Sequence, residues 1–170
     1  RQFMQAARKQ PWFDNTIFVF LGDHGKMVGT PECEMPQSYN HIPLMINGEG
    51  IEAGVHDGFC GQVDVSPTIL GLLNISYLQN NFGVNLLEEE RPCMFFTADN
   101  LIGARDSVNM FIYSPDSQQE FRYTLKDSKL HPVDNGAPFQ DLKDYCFSML
   151  QSAEYLVKEH KTLDKIPVKK

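Results

Sequence analysis

The sequence predicts an α/β fold with parallel strands in its first half and an antiparallel extension packed under a final helix. Three stretches support this. Residues 16–21 form an apolar run of β-branched and aromatic side chains, typical of a strand buried on both faces of a parallel sheet. Residues 93–125 contain short strand-like runs separated by polar turns. Residues 140–159 carry apolar side chains at helical spacing.

Composition limits the classes of protein to which the chain can belong. Its 170 residues suffice for one ordinary domain, and 42% hydrophobic with 22% charged residues is typical of a globular protein. A net charge of −7 disfavours nucleic acid and anionic lipid as partners. The sequence shows neither a signal peptide nor an apolar run near the ~20 residues of a membrane-spanning helix. Because Arg1 lies inside a predicted helix, we expect a piece of a longer polypeptide.

The four cysteines do not indicate a redox compartment. They are widely scattered, without a CxxC pair or metal-type spacing, and buried free thiols are their simplest interpretation. They are Cys33, Cys60, Cys93 and Cys146.

The first half begins with a short amphipathic helix over residues 1–9, ended by Gln10 and Pro11. The strand of residues 16–21 follows. Residues 26–40 lack periodicity and contain two prolines, so they predict a long loop over the strand ends. A second strand is predicted in residues 41–46, with Pro43 near its start because proline cannot donate to a sheet ladder.

Gly-Asp-His-Gly, residues 22–25, directly follows the first predicted strand. Ligands of open α/β sheets bind in the crevice beyond the carboxyl ends of the strands. Asp23 and His24 can both give lone pairs to a divalent metal, and glycines allow a sharp turn. A solvated turn is the alternative on these residues alone. His41 precedes the second strand, where a hydrogen-bonded structural histidine is the simpler interpretation; His56 and Asp57 are expected in a solvated loop.

A helix start is predicted at residues 62–70. Ser66 suits the N-cap, and Pro67 suits the first helical position, where its missing N–H is not needed. Asp64 is predicted to have a structural role, capping or orienting this turn, with a position facing the site as the alternative. Asn74 is the expected end of the helix.

The second half predicts strands at residues 93–98, 108–113 and 121–125. The polar turn between the last two argues for an antiparallel pair or meander, since no room remains for a crossover helix. Residues 126–138 are expected to form a loop with an exposed His131. The apolar stripe of residues 140–159 predicts a helix whose apolar face belongs to the core, and residues 162–170 a loosely held tail.

Several of these segments together resemble one family. In order, they are Asn-Thr-Ile-Phe-Val-Phe, Gly-Asp-His-Gly, Tyr-Asn-His-Ile-Pro-Leu-Met-Ile, Gln-Val-Asp-Val-Ser-Pro-Thr-Ile-Leu-Gly-Leu-Leu-Asn and Phe-Gly-Val-Asn-Leu-Leu. The series resembles the carboxyl-terminal part of the sulfatase-like enzymes of the alkaline phosphatase superfamily. Its lipoteichoic acid synthase and phosphoglycerol transferase branch looks nearest, and the closing Cys-Phe-Ser-Met-Leu-Gln-Ser-Ala-Glu-Tyr is similar to its bacterial members.

The resemblance covers residues 1–160 and implies an alkaline-phosphatase-like mixed sheet between helices. It further implies a metal-dependent phospho- or sulfo-ester enzyme, with residues 1–170 as the carboxyl-terminal portion of its catalytic domain. Asp23 and His24 carry over as ligands of a divalent cation, which could be Mn²⁺, Zn²⁺, Mg²⁺ or Ca²⁺. His41 stands where relatives often carry a histidine, which implies contact with the ester oxyanion or leaving group.

The family's nucleophile is threonine in phosphoglycerol transferases and formylglycine, made from cysteine or serine, in true sulfatases. It is expected upstream of this chain, because the CxPxR sulfatase signature does not occur in it. We therefore expect the chain alone to be inactive.

The implied substrate is a phosphate or sulfate ester, free or linked to a lipid or glycan. The implied location is outside the cytoplasmic membrane, with a membrane anchor only through upstream helices. A true sulfatase and a non-catalytic binding domain of the sulfatase fold are the alternatives, and the oligomeric state is undecided.

Overall fold

The computed structural model of the chain describes residues 1–79, 81–134 and 139–162. The chain divides into two compact units, the first over residues 1–56 and the second from Asp57 onward. Parts of two predictions, the loop of residues 126–138 and the tail of residues 162–170, lie outside the described residues. The assignment of all 170 residues to one catalytic domain stays a prediction.

The first unit contains two helices, one 3₁₀ turn and two strands. In chain order they are α1 (Gln2–Ala7), the 3₁₀ turn (Phe13–Asn15), β1 (Phe18–Leu21), α2 (Gln37–Asn40) and β2 (Leu44–Asn47). The predicted helix at the start of the chain is therefore present. The predicted loop of residues 26–40 is correct except for the single helical turn of α2.

The buried ring of Phe18 joins the first three of these elements. Phe3 of α1 approaches it edge-on at 6.1 Å between ring centroids, and Phe13 of the 3₁₀ turn lies at 5.3 Å. Aromatic pairs prefer such edge and tilted contacts, because the ring edge is positive and the ring face negative. The aromatic residues that the sequence places before and within β1 thus pack α1 against the strand.

β1 and β2 pair antiparallel, from Phe18 opposite Asn47 to Leu21 opposite Leu44. The prediction of parallel strands in this half was wrong. A continuous apolar run indicates burial on both faces but carries no information on strand direction. A parallel partner requires a crossover along the strand, usually a helix, and residues 22–43 contain only the four-residue α2. β2 therefore begins beside the end of β1 and runs back along it.

In the second unit, a 3₁₀ turn over Gln62–Asp64 leads directly into α3, Val65–Leu72. The predicted N-cap at Ser66 was wrong, since the helix begins one residue before it and Asp64 occupies the N-cap position. The Asp64 carboxylate instead accepts the backbone N–H of Gly61, at 2.8 Å, and so closes the preceding 3₁₀ turn. The preference of proline for the first turn of a helix located the helix to within two residues.

Asp64 is fully buried and joins α3 to the following loop. Its carboxylate accepts the backbone N–H of Val84 at 2.8 Å and the Arg91 Nε–H at 2.9 Å. The Arg91 side chain is only 11% exposed, and its bond to Asp64 raises the pKa of its guanidinium. A buried ion pair of this kind persists when its remaining lone pairs are hydrogen-bonded, as they are here. The structure supports the structural role predicted for Asp64.

The second unit also contains five antiparallel strands paired in chain order. They are β3 (Met94–Ala98), β4 (Leu101–Arg105), β5 (Asn109–Ser114), β6 (Gln119–Lys126) and β7 (Lys129–Pro132). The predicted strands correspond to β3, β5 and β6, and the predicted meander is confirmed.

Sequence analysis missed β4 and β7, and the prediction of a loop throughout residues 126–138 was wrong at β7. Gly103 and Ala104 weaken the strand pattern of β4, and β7 carries lysine, histidine and proline. Each follows a two-residue turn with positive φ at both residues, Asp99–Asn100 and Asp127–Ser128. Two-residue turns of this kind match the twist of a β-hairpin, so the Asp-Asn and Asp-Ser pairs were the sequence signal that could have predicted β4 and β7. His131 is exposed, as predicted.

Helix α4, Gln140–Lys158, packs its apolar face on this sheet. The buried cluster between them consists of Ile102, Ala104, Phe111, Phe139, Leu142 and Cys146. The predicted core face is confirmed near the start of the helix, whereas Val157 is exposed. Burial raises the pKa of the Cys146 thiol to about 12, so the thiol stays neutral. Cys33 is buried too, but Cys60 is exposed, so burial does not extend to every cysteine.

We predict that Asp64→Asn lowers the free energy of unfolding of the chain by about 3 kcal/mol, because the nearly buried Arg91 guanidinium loses its counter-charge. Urea denaturation followed by circular dichroism measures the change. The control is Glu154→Gln, which removes an exposed ion pair with Lys158 and should change the same quantity by about 0.5 kcal/mol or less. Equal effects of the two substitutions would contradict the structural role of Asp64.

Candidate metal centre

The antiparallel pairing brings the predicted site segments to one end of the first unit's sheet. Leu21, the last residue of β1, lies opposite Leu44, the first residue of β2. Asp23 and His24 directly follow β1, and His41 shortly precedes β2. In a parallel pair these segments would lie at opposite ends of the strands, so the corrected strand direction favours a common site.

The Asp23 carboxylate is open to solvent, with 90% of the side chain exposed. Its Oδ1 accepts the backbone N–H of His24 at 2.9 Å. This bond, with a smaller contribution from the backbone N–H of Asp23 itself, lowers the pKa of the carboxyl. Hydrogen bonds to the charged form of an acid favour that form. Asp23 is therefore ionised at neutral pH, as a metal ligand must be.

The hydrogen bonding of His24 defines which ring nitrogen can bind a metal. Its Nδ1 lies 2.7 Å from the carbonyl oxygen of Gly25. A carbonyl oxygen can only accept, so Nδ1 carries the proton and the neutral ring keeps its lone pair on Nε2. Metal-binding histidines commonly donate their second ring N–H to a backbone carbonyl in this way.

The separation of the two donor atoms also fits a metal. His24 Nε2 lies 3.7 Å from Asp23 Oδ2. Two ligand atoms, each about 2.1 Å from a tetrahedral ion, lie about 3.4 Å apart. A small adjustment of the exposed side chains would let both bind one cation, so the residues present fit the divalent metal that the sequence implies.

Gly25 allows the loop to approach α2. A Cβ at this position would overlap the carbonyl oxygen of Ser38. The Gly25 N–H donates to the Tyr39 carbonyl at 2.8 Å, and the Tyr39 ring stacks on His24, with 5.1 Å between centroids and 22° between planes. At Gly22, by contrast, an added Cβ would make only ordinary contacts. Of the two flanking glycines, Gly25 is the one that the geometry requires.

The residues described provide only part of a metal site. Among residues 1–79, 81–134 and 139–162, histidine, cysteine, aspartate and glutamate nowhere form a group of three or more suited to a metal ion. Protein zinc sites use three or four protein ligands. Asp23 and His24 would thus supply two donors of the ligand set that the resemblance implies.

His41 is exposed, and its backbone N–H donates to the carbonyl of Gln37 at 2.8 Å. Its exposure leaves the residue accessible to a ligand. Its assignment to the ester oxygen stays a prediction. His56 and Asp57 are also exposed, as expected for a solvated loop.

Sequence analysis missed Tyr39 as a member of this site. The residue lies in the Tyr-Asn-His-Ile-Pro segment, but its contact with His24 spans a loop without periodicity. Its position beside His24 became visible only from the antiparallel return of the chain.

Comparisons with known proteins identify relatives of two enzyme types. Residues 1–75 match the Sulfatase family model. The chain is 26% identical over 136 residues to lipoteichoic acid synthase 1 of Bacillus subtilis, a match covering 71% of this chain and 21% of that protein. It is 35% identical over 95 residues to a choline-sulfatase of Rhizobium meliloti, covering 54% and 17%. An endo-4-O-sulfatase of Bacteroides thetaiotaomicron is 27% identical over 165 residues, covering 84% and 32%.

The fold has a match among solved structures. A crystal structure of a protein in the alkaline phosphatase superfamily from Vibrio parahaemolyticus superimposes with a TM-score of 0.80 at 20% identity, over 96% of this chain and 40% of that one. The match confirms the predicted fold class. The predicted resemblance is confirmed by the family model together with the curated relatives. The chain spans about a sixth to a third of the length of the three curated relatives. None of the helices in the described part of the chain is long and apolar enough to cross a membrane.

We predict that Gly25→Ala lowers the free energy of unfolding by about 2 kcal/mol, because the added methyl group collides with backbone rather than with a flexible side chain. Gly54→Ala is the matched control, since a Cβ there meets no atom within 4 Å. Urea denaturation should show little change for the control. If both substitutions were equally mild, the close approach of Gly25 to α2 would be refuted.

Proposed function

We propose that this chain, whose residues 1–75 match the Sulfatase family model, is the carboxyl-terminal portion of a metal-dependent phospho- or sulfo-ester enzyme. Phosphoglycerol transfer is the reaction we favour. The observation that carries the proposal is the pairing of an ionised Asp23 with an Nε2 lone pair of His24 at 3.7 Å. Similarity to a lipoteichoic acid synthase over 71% of the chain supports the transferase reaction.

Asp23 and His24 would hold the divalent cation. Imidazole favours Zn²⁺ and related transition metals, while a carboxylate also suits Mn²⁺, Mg²⁺ and Ca²⁺. A mixed pair therefore makes Zn²⁺ and Mn²⁺ the first metals to test. A cation held by these two residues would supply positive charge to polarise the ester oxygen and to favour the ionised form of the nucleophile.

Each of the three residues has a defined task in this proposal. Asp23 contributes negative charge to the metal site, and His24 keeps its proton on Nδ1 so that Nε2 can coordinate. His41 donates a hydrogen bond to a non-bridging or leaving oxygen of the ester. Phosphoryl transfer depends mainly on positioning and charge stabilisation, so these contributions suit that reaction.

The remaining parts of the enzyme are expected upstream. A two-stranded sheet is marginal alone, and the first unit leaves large apolar side chains exposed around it. They include Phe3, Trp12, Leu21 and Met45. Further polypeptide, in keeping with the length of the relatives, would cover these side chains and supply the nucleophile. As an isolated chain, the 170 residues should turn over neither aryl phosphate nor aryl sulfate.

We place the activity of the intact polypeptide outside the cytoplasmic membrane, with upstream helices as its anchor. The proposed substrate is a phosphate or sulfate ester carried by a lipid or a glycan. This part of the proposal rests on the similarity to a lipoteichoic acid synthase.

A true sulfatase is the second candidate. It is favoured by 35% identity to a choline-sulfatase and by an 84% coverage of this chain in the match to an endo-4-O-sulfatase. The two reactions differ in the nucleophile, which makes its identity the decisive measurement.

Peptide mass spectrometry of the intact polypeptide distinguishes these candidates. An unmodified threonine that becomes labelled by a phosphoglycerol donor would establish the transferase. A formylglycine, with its mass loss from cysteine or serine, would establish a sulfatase and exclude the transferase. If the polypeptide carries neither, the fold serves as a non-catalytic binding domain and the enzyme proposal fails.

We predict that Asp23→Asn or His24→Gln in the intact polypeptide lowers kcat/KM by about 10³-fold, equivalent to several kcal/mol of lost transition-state stabilisation. Mass-spectrometric metal analysis should show a parallel loss of bound Zn²⁺ or Mn²⁺. Asp57→Asn and His56→Gln are the matched controls, because they make the same changes at exposed residues of the same two types. Full activity of the Asp23→Asn enzyme would remove Asp23 from the ligand set.

His41→Gln should lower kcat by about 10²-fold or more while bound metal stays unchanged, because the substitution removes an imidazole that can donate a proton. Steady-state kinetics and metal analysis of the same preparation separate this role from metal binding. A loss of metal, or an unchanged kcat, would contradict the assignment of His41 to the ester oxygen.

A further inference from the structure

We propose that Tyr39 is a positioning residue for His24, holding the plane of its imidazole so that Nε2 faces Asp23. The inference rests on the proposed role of His24 as a metal ligand and extends it to a residue on a different element. Three sets of contacts carry it: the ring stack, the anchoring of α2, and the hydrogen bond of His24 Nδ1.

The ring stack restrains a side chain that would otherwise move. The His24 side chain is 56% exposed, so solvent leaves much of the imidazole unconstrained. The half-buried Tyr39 lies nearly parallel to it, at 22°, with 5.1 Å between ring centroids. Offset stacking of this kind is favourable beyond the apolar area that it covers. The Tyr39 ring therefore limits the tilt of the imidazole.

Tyr39 can act as a support because contacts before and within α2 hold this helix in place. Before the helix, Met35 and Pro36 are buried, and the Glu32 carboxylate accepts the backbone N–H of Gln37 at 2.6 Å. Within the helix, the Asn40 side-chain amide donates to the Pro36 carbonyl at 2.9 Å. A single helical turn has little stability of its own, so these contacts fix its position.

The backbone of α2 is also joined directly to the loop that follows β1, residues 22–25. The Tyr39 carbonyl accepts the Gly25 N–H at 2.8 Å, and the Ser38 carbonyl occupies the space that a side chain at Gly25 would need. The residue that stacks on His24 thus also binds the backbone of the next residue. As a consequence, the Tyr39 ring keeps a fixed position relative to the loop that carries His24.

The hydrogen bond and the stack act on different motions of the imidazole. The Nδ1–H bond to the Gly25 carbonyl decides which ring nitrogen is protonated. The Tyr39 ring decides the plane in which the imidazole lies. Together they direct the Nε2 lone pair, and a site with two donors among the described residues gains from such preorganisation.

The role requires the ring of Tyr39 and not its hydroxyl. Tyr39→Phe should therefore keep the ring contact with His24 and the affinity for Zn²⁺ of the natural chain. Tyr39→Met, which keeps an apolar side chain of useful length without a ring, should release the imidazole. Tyr77→Leu is the control for loss of an exposed tyrosine elsewhere in the chain.

The first experiment is NMR of the metal-free intact polypeptide at pH 8. In the natural chain and in Tyr39→Phe, we expect contacts between the two rings and a His24 ring in the Nδ1–H form. In Tyr39→Met we expect the His24 ring to keep its Nδ1–H form but to lose its single orientation, while contacts between Val19 and Ile46 across the strand pair report that the fold remains. If the natural chain lacked contacts between the rings, the proposal would be overturned without any variant.

The second experiment is calorimetric titration of the intact polypeptide with Zn²⁺. Tyr39→Met should weaken binding by about 10- to 100-fold, as for other residues that orient metal ligands, and Tyr39→Phe and Tyr77→Leu should not. Unchanged affinity in Tyr39→Met, alongside binding that depends on Asp23 and His24, would overturn the positioning role and leave the proposed function intact. Zn²⁺ binding that is independent of His24, with the NMR change still present in Tyr39→Met, would overturn the ligand assignment and leave the support of His24 by Tyr39 intact.

Discussion

The close approach of Gly25 to α2 is the constraint on which the candidate site depends. It is possible only without a side chain at residue 25, because the Ser38 carbonyl occupies that space. By holding residues 38–41 against the loop that follows β1, it returns the chain to the end of β1 and allows the antiparallel pairing with β2. The position of one glycine thus links the local turn, the strand direction and the common location of the segments carrying Asp23, His24 and His41.

The second unit is stabilised by a different kind of interaction. There the fully buried Asp64 serves as a hub for backbone N–H groups and for Arg91, while α4 covers the sheet through apolar contacts. A buried charge is tolerable only when its partners are complete, so this hub fixes the loop between α3 and β3. The loop of residues 22–25 differs, because the Asp23 carboxylate is exposed and the geometry of the loop comes from backbone contacts. The exposed Asp23 carboxylate is accessible to a cation, whereas the Asp64 carboxylate is buried among its hydrogen-bond donors.

The features that sequence analysis identified are those that local patterns encode. The apolar stripe of α4, the strand at Phe18–Leu21 and the glycine-flanked Asp23–His24 pair all follow from spacing or residue type. The strand direction depended on the contact of Gly25 with Ser38 and Tyr39. Sequence periodicity does not reveal a contact between residues so far apart in the chain. The helix start at Val65 differed from the prediction because a 3₁₀ turn precedes it, so that Asp64 rather than Ser66 takes the N-cap position. Tyr39 was missed for the same reason as the strand direction.

The composition of β1 also bears on how much of the site this chain contains. The strand has apolar side chains on both faces, as a strand covered on both sides requires. In the structure, however, Leu21 and Met45 of the strand pair are exposed, and so is the Asp23 carboxylate that follows. Exposed apolar side chains and a two-donor ligand pair thus lie at the same end of one small sheet. A single surface that brings apolar cover and further ligands together would satisfy both, which is why the proposed function takes further ligands from polypeptide that completes this sheet.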